Sequence, residues 1–352
     1  MTAKARYDEL SSGRTSFLDI AVQCSELTLP YLIQRDEMRS SHKSLTQPWQ
    51  SVGSKAVVTL ASKLMLALLP PQTTFFKLQI ADEKLGTELP AEIRSELDLS
   101  FAKLERMVMD SIAASSDRVT VHQAIKHLVV GGNALLFMGK DVIKHYPLNR
   151  YVVERDGNGN VIEIVTKELI NKKLLPMDLV KEKVSEINEN VTSHSNDVEV
   201  YTHCKLQNNR WLWHQEVMGQ IIPGTQGKAP KETSPWLVLR FNSVDGENYG
   251  RGRVEEFIGD LKSLNALSQA ITEGSAAAAK VVFLVSPSST TKPQTLAKAG
   301  NGAIIQGRPD DVAVVQVGKT GDFATALQQM QTLERRILEA FLVLTVRQSE
   351  RT

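Results

Sequence analysis

The sequence predicts an α+β fold in which a helical first third gives way to antiparallel strands, and a long helix then opens a small β-containing insertion closed by a second helix. Three observations carry this expectation. Apolar residues recur at helical spacing as far as Val130, and the period then shortens to strand alternation around the turn Asp156-Gly157-Asn158-Gly159. The stretch from Asn242 to Lys280 begins with a glycine-punctuated turn and continues as one helical pattern.

Taken in order, residues 1–16 are polar and helix-like. Between Gln47 and Gln72, Val52, Ala56, Leu60, Leu64 and Leu68 share one helical face, and Pro70-Pro71 stops the pattern. Ile93, Leu97, Leu104, Val108 and Ile112 repeat it over Pro90 to Ser115, and Val119 to Val130 adds a third helix before Gly131-Gly132. Strands are expected at Ala134 to Met138, Tyr151 to Arg155 and Val161 to Thr166, with a hairpin turn between the last two. Further antiparallel strands are expected at Val198 to Leu206, Arg210 to Met218 and Trp236 to Phe241. The polar segment Pro176 to Asn196 reads as a helix and a surface loop. After the long helix come short strands at Val281 to Val285, Ala303 to Gln306 and Val312 to Val317, with a loop over Ser286 to Gln294. Asp322 to Val346 is the closing amphipathic helix.

The long helix carries one apolar seam: Val254, Phe257, Leu261, Leu264, Ser268, Ile271, Ser275 and Ala278. Large residues fill its first half and Ser or Ala its second, which suits helices that approach closely at one end. From Arg253 to Lys280 it would span roughly 40 Å, more than one small domain covers. Either a buried core or coiled-coil hairpin, or copies of the same helix around a ring, would cover it.

With 352 residues the chain has room for about two domains. Its 41 Lys plus Arg balance 40 Asp plus Glu, so no global field attracts nucleic acid, and phosphate contacts must come from local patches or from repetition in an oligomer. Cys24 and Cys204 are far apart and outside any ligand spacing, which fits a reducing compartment. The N-terminus has no secretory h-region, and the most apolar run, Ala56 to Leu69, is too short to cross a bilayer. A cytosolic, membrane-free protein is expected.

The known chemical motifs fail one by one. Gly318-Lys319-Thr320 ends like a phosphate loop, but Ala313 stands where the first glycine is needed, and the Gly300-Asn301-Gly302 pattern fails at Ile305. His122 and His127 lie about 140° apart on a helix, which argues against a shared metal. Glu255-Glu256 and Asp310-Asp311 read as solvated surface. Trp49, Trp211, Trp213 and Trp236 read as core anchors. No catalytic residue, cofactor or metal is expected. A spatially assembled enzyme site and a ring adaptor or scaffold remain as alternatives.

Against that background, the chain resembles the head-to-tail connector, or portal, family of short-tailed double-stranded DNA phages of the autographivirus type. The residues that carry the resemblance are dispersed: Gln47 to Gln72, His127 to Phe137, Tyr151 to Glu168, Val198 to His203, Asp245 to Ile271 and Gly307 to Phe323. Together they cover nearly the whole chain in order.

The resemblance implies a portal-type fold assembling as a ring, typically of twelve subunits, at one capsid vertex. Residues 1–245 would be an α/β wing, 246–280 the first stem helix, 281–321 the clip, 322–346 the second stem helix and 347–352 the start of a channel loop. Relatives continue into a helical crown, which a chain stopping at Thr352 would lack. The ring would be a passive, non-enzymatic channel for packaging and ejecting double-stranded DNA. Partners implied are the terminase large subunit, the tail adaptor, and the scaffolding and major capsid proteins, in a virion assembled in the host bacterial cytoplasm. Because duplex DNA carries about one charge per 1.7 Å, a densely basic channel would act as a brake, and near-neutrality fits sliding. Arg335, Arg336, Arg347 and Arg351 are the candidate phosphate contacts. For Arg335 and Arg336 the competing assignment is an intersubunit ion pair with Glu334, Glu339 or Glu350. Val254, Phe257, Leu261, Leu264, Ser268, Ile271 and Ser275 are the candidate intersubunit stem contacts. Lys292, Pro293, Lys298, Arg308 and Asp310 are the candidate clip contacts with terminase or adaptor.

Overall fold

A computed structural model describes residues 1–35, 45–71, 73–79, 91–140, 142–175, 197–278, 282–287, 292–298, 300, 304, 306, 308, 311–315 and 320–343. The chain divides into two compact units, Met1–Gly259 with Ile337–Thr352, and Asp260–Arg336.

In the larger unit four helices, α1 (Ala3–Glu26), α2 (Val52–Leu68), α3 (Ala91–Ala114) and α4 (Asp117–Gly131), precede the strands. A three-stranded antiparallel sheet has the order β2-β1-β9, where β1 is Asn133–Met138, β2 is Ile143–Tyr146 and β9 is Trp236–Arg240. A six-stranded antiparallel sheet runs β3 (Tyr151–Arg155), β4 (Val161–Asn171), β5 (Asp197–Gln207), β6 (Arg210–Val217) and β7 (Gln220–Ile221), with β8 (Gly227–Pro230) also on β6. Sequence periodicity finds β1, β3, β4, β5, β6 and β9. It misses β2, β7 and β8, which are four residues or fewer and offer too little alternation to read. The segment Pro176 to Asn196 lies outside the described residues.

Helix α1 lies on the large sheet because its inner face matches the pleat. Ala3 and Tyr7 pack with Val152, Val165 and Tyr201 in one buried cluster. Tyr7 donates its hydroxyl to the Asn149 carbonyl at 3.0 Å. Buried Arg14 donates Nη1 to Tyr7 Oη and to the carbonyls of Leu148 and Tyr151, at 2.9, 3.1 and 2.9 Å. The helix start is held by a carboxylate: Glu216 Oε2 accepts the Ala3 amide at 2.6 Å, an arrangement that also suits the helix dipole. Beside it, Glu163 on β4 accepts from Arg6 at 2.8 Å and pairs with His203 at 2.5 Å. Burial would raise the Glu163 pKa, but the hydrogen bonds from Arg6 and His203 outweigh it and hold the carboxylate below its usual range.

Not every expectation for the core holds. Trp211 and Trp236 are buried, but Trp49 is 50 % exposed and does not anchor the core. Both cysteines are free and buried. The His127 and His145 rings meet at 4.4 Å, tilted by 47°, and His127 Nδ1 and His145 Nε2 have no hydrogen-bond partner among the described residues. Burial pushes the His145 pKa down to about 4, and burial followed by the neighbouring His145 pushes His127 well below its ordinary value.

The smaller unit is a helical hairpin with a strand pair. Its strands β10 (Val282–Val285) and β11 (Val312–Val315) pair antiparallel, Val282 opposite Val315 and Val285 opposite Val312. A short helix, Pro293–Lys298, starts in the last two residues of the expected Ser286 to Gln294 loop and continues beyond it. Ala303 to Gln306, expected as a strand, has no strand at its two described positions, Ile304 and Gln306. The closing helix runs Thr320–Ala340.

Candidate channel and assembly surfaces

The glycine-punctuated turn before the long helix exists because two backbone segments cross in contact. At the end of α4, Gly132 is left-handed, with φ 72°, and a Cβ there would lie 2.4 Å from the Arg251 carbonyl carbon. Across the crossing, a Cβ on Gly252 would lie 2.5 Å from the Val130 carbonyl oxygen. Asn133 stitches the two strands of chain: its Nδ2 donates to the Gly131 and Gly250 carbonyls at 2.8 and 2.7 Å, and its Oδ1 accepts the Gly250 amide at 2.7 Å. Buried Tyr249 accepts the Val153 amide at 3.1 Å. Gly131-Gly132-Asn133 and Tyr249-Gly250-Arg251-Gly252 are thus one joint within the larger unit.

That helix is not continuous. A first turn, α5 (Arg253–Glu256), ends at Phe257, whose φ of −113° and ψ of 13° break the ladder, and α6 (Ile258–Ala278) follows. The break sits where the Phe257 ring meets Phe341 edge-on at 5.7 Å, with the Arg253 guanidinium 4.9 Å over the Phe257 ring. Glu255 pairs with Arg251 at 2.7 Å and Glu256 accepts from Asn242 Nδ2 at 2.8 Å, so this acidic pair forms local bonds rather than a bare solvated face.

Within the smaller unit, α6 runs antiparallel to the closing helix, here α8, with the short helix Pro293–Lys298 as α7. Arg336 is ion-paired with Asp260, Ser268 Oγ lies 3.6 Å from Met330 Sδ, and the Phe323 ring covers Gly274 so closely that a Cβ there would sit 2.6 Å from it. Small residues on α6 therefore receive large ones from α8. A groove of about 470 Å3 runs along the pair, lined by Ser263, Leu267, Thr325, Gln328, Thr332 and Leu333 among others.

The seam residues split into two groups. Val254, Leu261 and Leu264 are 0, 1 and 0 % exposed in a single chain, so these three are already covered without a neighbouring copy. Phe257, Ser268 and Ile271 are half-buried, and Ser275 is exposed. Arg336 is ion-paired with Asp260 of the same chain. Arg335 is exposed on α8, while Arg347 and Arg351 lie outside the described residues. Lys292, Pro293, Lys298 and Arg308 are exposed, and Asp310 lies outside the described residues.

Sequence reasoning missed two features. Gly274 is the seat of Phe323, and a glycine inside a helical pattern was the signal for it. Helix α3 keeps much of its apolar stripe exposed: Ile93, Leu104, Met107 and Val108 are 46, 48, 66 and 43 % exposed, while Leu97 and Ile112 are half-buried. Among the described residues no group of three or more His, Cys, Asp or Glu could hold a metal ion, and no helix is long and apolar enough to cross a membrane.

Antiparallel sheets with helices in the larger unit, and a helical hairpin with a strand pair in the smaller one, define a mixed α and β protein. The chain belongs to the family described as bacteriophage head to tail connecting protein, which it matches over residues 1–352. It is 36 % identical over 350 residues to the portal protein of Escherichia phage T7, covering 97 % of this chain and 65 % of that protein. Against the portal protein of Enterobacteria phage T3 it is 36 % identical over 349 residues, covering 97 % of this chain and 64 % of that one. The chain thus spans slightly under two thirds of the length of these relatives. A distant solved likeness, the virion of a native gene transfer agent particle, has a TM-score of 0.36 at 14 % identity over 66 % of this chain and 56 % of that one, too low to carry an argument.

Proposed function

We propose that this chain is the protomer of a phage portal, a ring at one capsid vertex through which duplex DNA passes during packaging and ejection. The observation that carries the reading is the family match along the whole chain. In this reading the body is the wing, the helical hairpin is the stem, and the β10 and β11 pair with α7 is the clip. The ring is dodecameric, the terminase motor and later the tail adaptor dock at Lys292, Pro293, Lys298, Arg308 and Asp310, and the protein performs no bond chemistry.

The charge arrangement supports sliding over gripping. In this reading the ion pair with Asp260 tempers the charge of Arg336, and Arg335, Arg347 and Arg351 stay the proposed phosphate contacts. The exposed stripe of α3 supports assembly, because an apolar face of that length in water marks a contact surface. Native mass spectrometry and negative-stain imaging test the reading: a closed ring with a central hole is expected. A species that stays monomeric or dimeric at every concentration overturns it.

A further inference from the structure

A concavity of about 550 Å3 lies between the turn Asp156–Gly159 and the loop Ser243–Asn248, lined by two arginines, Arg155 and Arg240, and by the carboxylates of Asp156, Asp245 and Glu247. Arg155, at the end of β3, is half-buried. It donates Nε to the Asn248 carbonyl at 2.9 Å, Nη1 to the Gly159 carbonyl at 2.9 Å and Nη2 to the Val238 carbonyl at 3.4 Å. Arg240, at the end of β9, donates Nη1 to the Glu247 carbonyl at 2.8 Å, spending one of its five N–H donors. A Cβ on Gly159 would lie 3.2 Å from Arg240 Nη2, so both guanidiniums converge on the same turn. Neither is paired with a carboxylate among the described residues.

That arrangement is costly by itself. Carbonyl dipoles orient the guanidiniums but add no negative charge, and partly buried charges are ordinarily paired. The strain registers at Arg155, whose pKa is lowered first by burial and then by Arg240. Two nearby carboxylates are already committed. Asp156 Oδ1 accepts the amides of Asn158 and Asn160 at 2.9 and 2.7 Å, and its Oδ2 accepts Asn160 Nδ2 at 3.0 Å. Glu247 forks onto Arg251 at 3.1 and 2.6 Å. Among the described residues that line the concavity, Asp245, exposed on the loop, is the carboxylate left to swing in. The spacing Asp156, Asn158, Asn160 is that of the opening of a calcium loop, but its carboxylate is spent on the turn and two guanidiniums repel a cation.

We propose that the Arg155 and Arg240 pocket is a binding site for a phosphate-type oxyanion, held by the unspent fork of Arg240 against Arg155, with Asp245 as an internal competitor. The oxyanion is either free inorganic phosphate or a phosphodiester of duplex DNA. The site stands on its own geometry, and only the second source rests on the portal reading.

Equilibrium dialysis of radiolabelled orthophosphate against the assembled protein, at constant ionic strength in chloride, tests it. One saturable site per protomer is expected, weakened about tenfold or more in Arg240→Gln and tightened in Asp245→Asn. Because Asp245 is exposed, its substitution leaves the fold intact and the opposite sign of its effect separates a site from a damaged loop. Circular dichroism confirms that Arg240→Gln is folded. Displacement of the label by a short DNA duplex identifies the diester as the source, and retention identifies free phosphate. Absence of saturable binding, or equal binding by wild type and folded Arg240→Gln, overturns the proposal.

Discussion

Replacing Leu264 by alanine separates packing within a protomer from packing between copies. The side chain is 0 % exposed in the single chain and sits one turn from Leu261, at 1 %. Truncating a leucine so placed removes its transfer free energy and leaves a cavity, about 2.7–5 kcal/mol in well-packed cores. A change at exposed Ser275 on the same helix, Ser275→Ala, should stay within about 0.5 kcal/mol. The assay is urea unfolding at protein concentrations low enough that the midpoint no longer depends on concentration, run beside ring yield by negative stain. Leu264→Ala should lower the concentration-independent midpoint and reduce ring yield only in proportion to the unfolded fraction. If the midpoint is unchanged and rings are lost, Leu264 acts between copies and the packing argument is refuted.

Three further perturbations follow from single residues. Leu342, at the end of α8, has φ 56° and is 59 % exposed, so Leu342→Gly should relieve left-handed strain and raise stability by up to about 1 kcal/mol after the glycine entropy cost, read as a higher urea midpoint. Gly274→Val should push Phe323 off α6 and destabilise the helical hairpin by about 1–3 kcal/mol, seen as faster amide exchange in both helices, with Gly274→Ala milder. Because burial lowers the His145 pKa from 6.5 to about 4, the unfolded chain takes up its proton first as pH falls; stability is fully present above about pH 6.5 and lost toward pH 4. At about 1.4 kcal/mol per unit this contributes about 3 kcal/mol, and His145→Phe, which keeps the stack on His127, should flatten that part of the urea midpoint against pH.

Much of the body was legible because its elements are long and each obeys one period. Helices α2 and α4 and strands β3 to β6 fall within a few residues of the positions that apolar spacing assigns, and Asp156-Gly157-Asn158-Gly159 turns the β3 and β4 hairpin as its composition requires. The joint at Gly132 and Gly252 was legible as glycines but not as a joint. A sequence shows that a backbone position needs freedom, not that the chain it must clear lies about 120 residues away. The same limit applies to Arg155 and Arg240, which are unremarkable strand ends until the two turns bring them into one concavity.

Two helices with equally regular apolar stripes met opposite fates, and the comparison shows what periodicity encodes. On α6 the stripe reads as a surface for copies of itself, yet Val254 just before it and Leu261 and Leu264 within it are sealed inside the protomer. On α3 the stripe reads like any amphipathic core helix, yet Ile93, Leu104, Met107 and Val108 stand in water. A helical hydrophobic period states that a face is covered in the working assembly; it carries no record of which chain supplies the cover. What distinguishes the cases is complementarity along the same chain. Helix α6 offers Ser268 and Gly274 where α8 presents Met330 and Phe323, while α3 shows no such matched partner among the described residues. If the chain works as a ring, α3 is therefore the face where copies should meet, and Leu104→Glu should reduce ring yield while leaving the concentration-independent urea midpoint within about 0.5 kcal/mol of wild type. A large drop in that midpoint would place Leu104 in the protomer core and remove α3 from the interface.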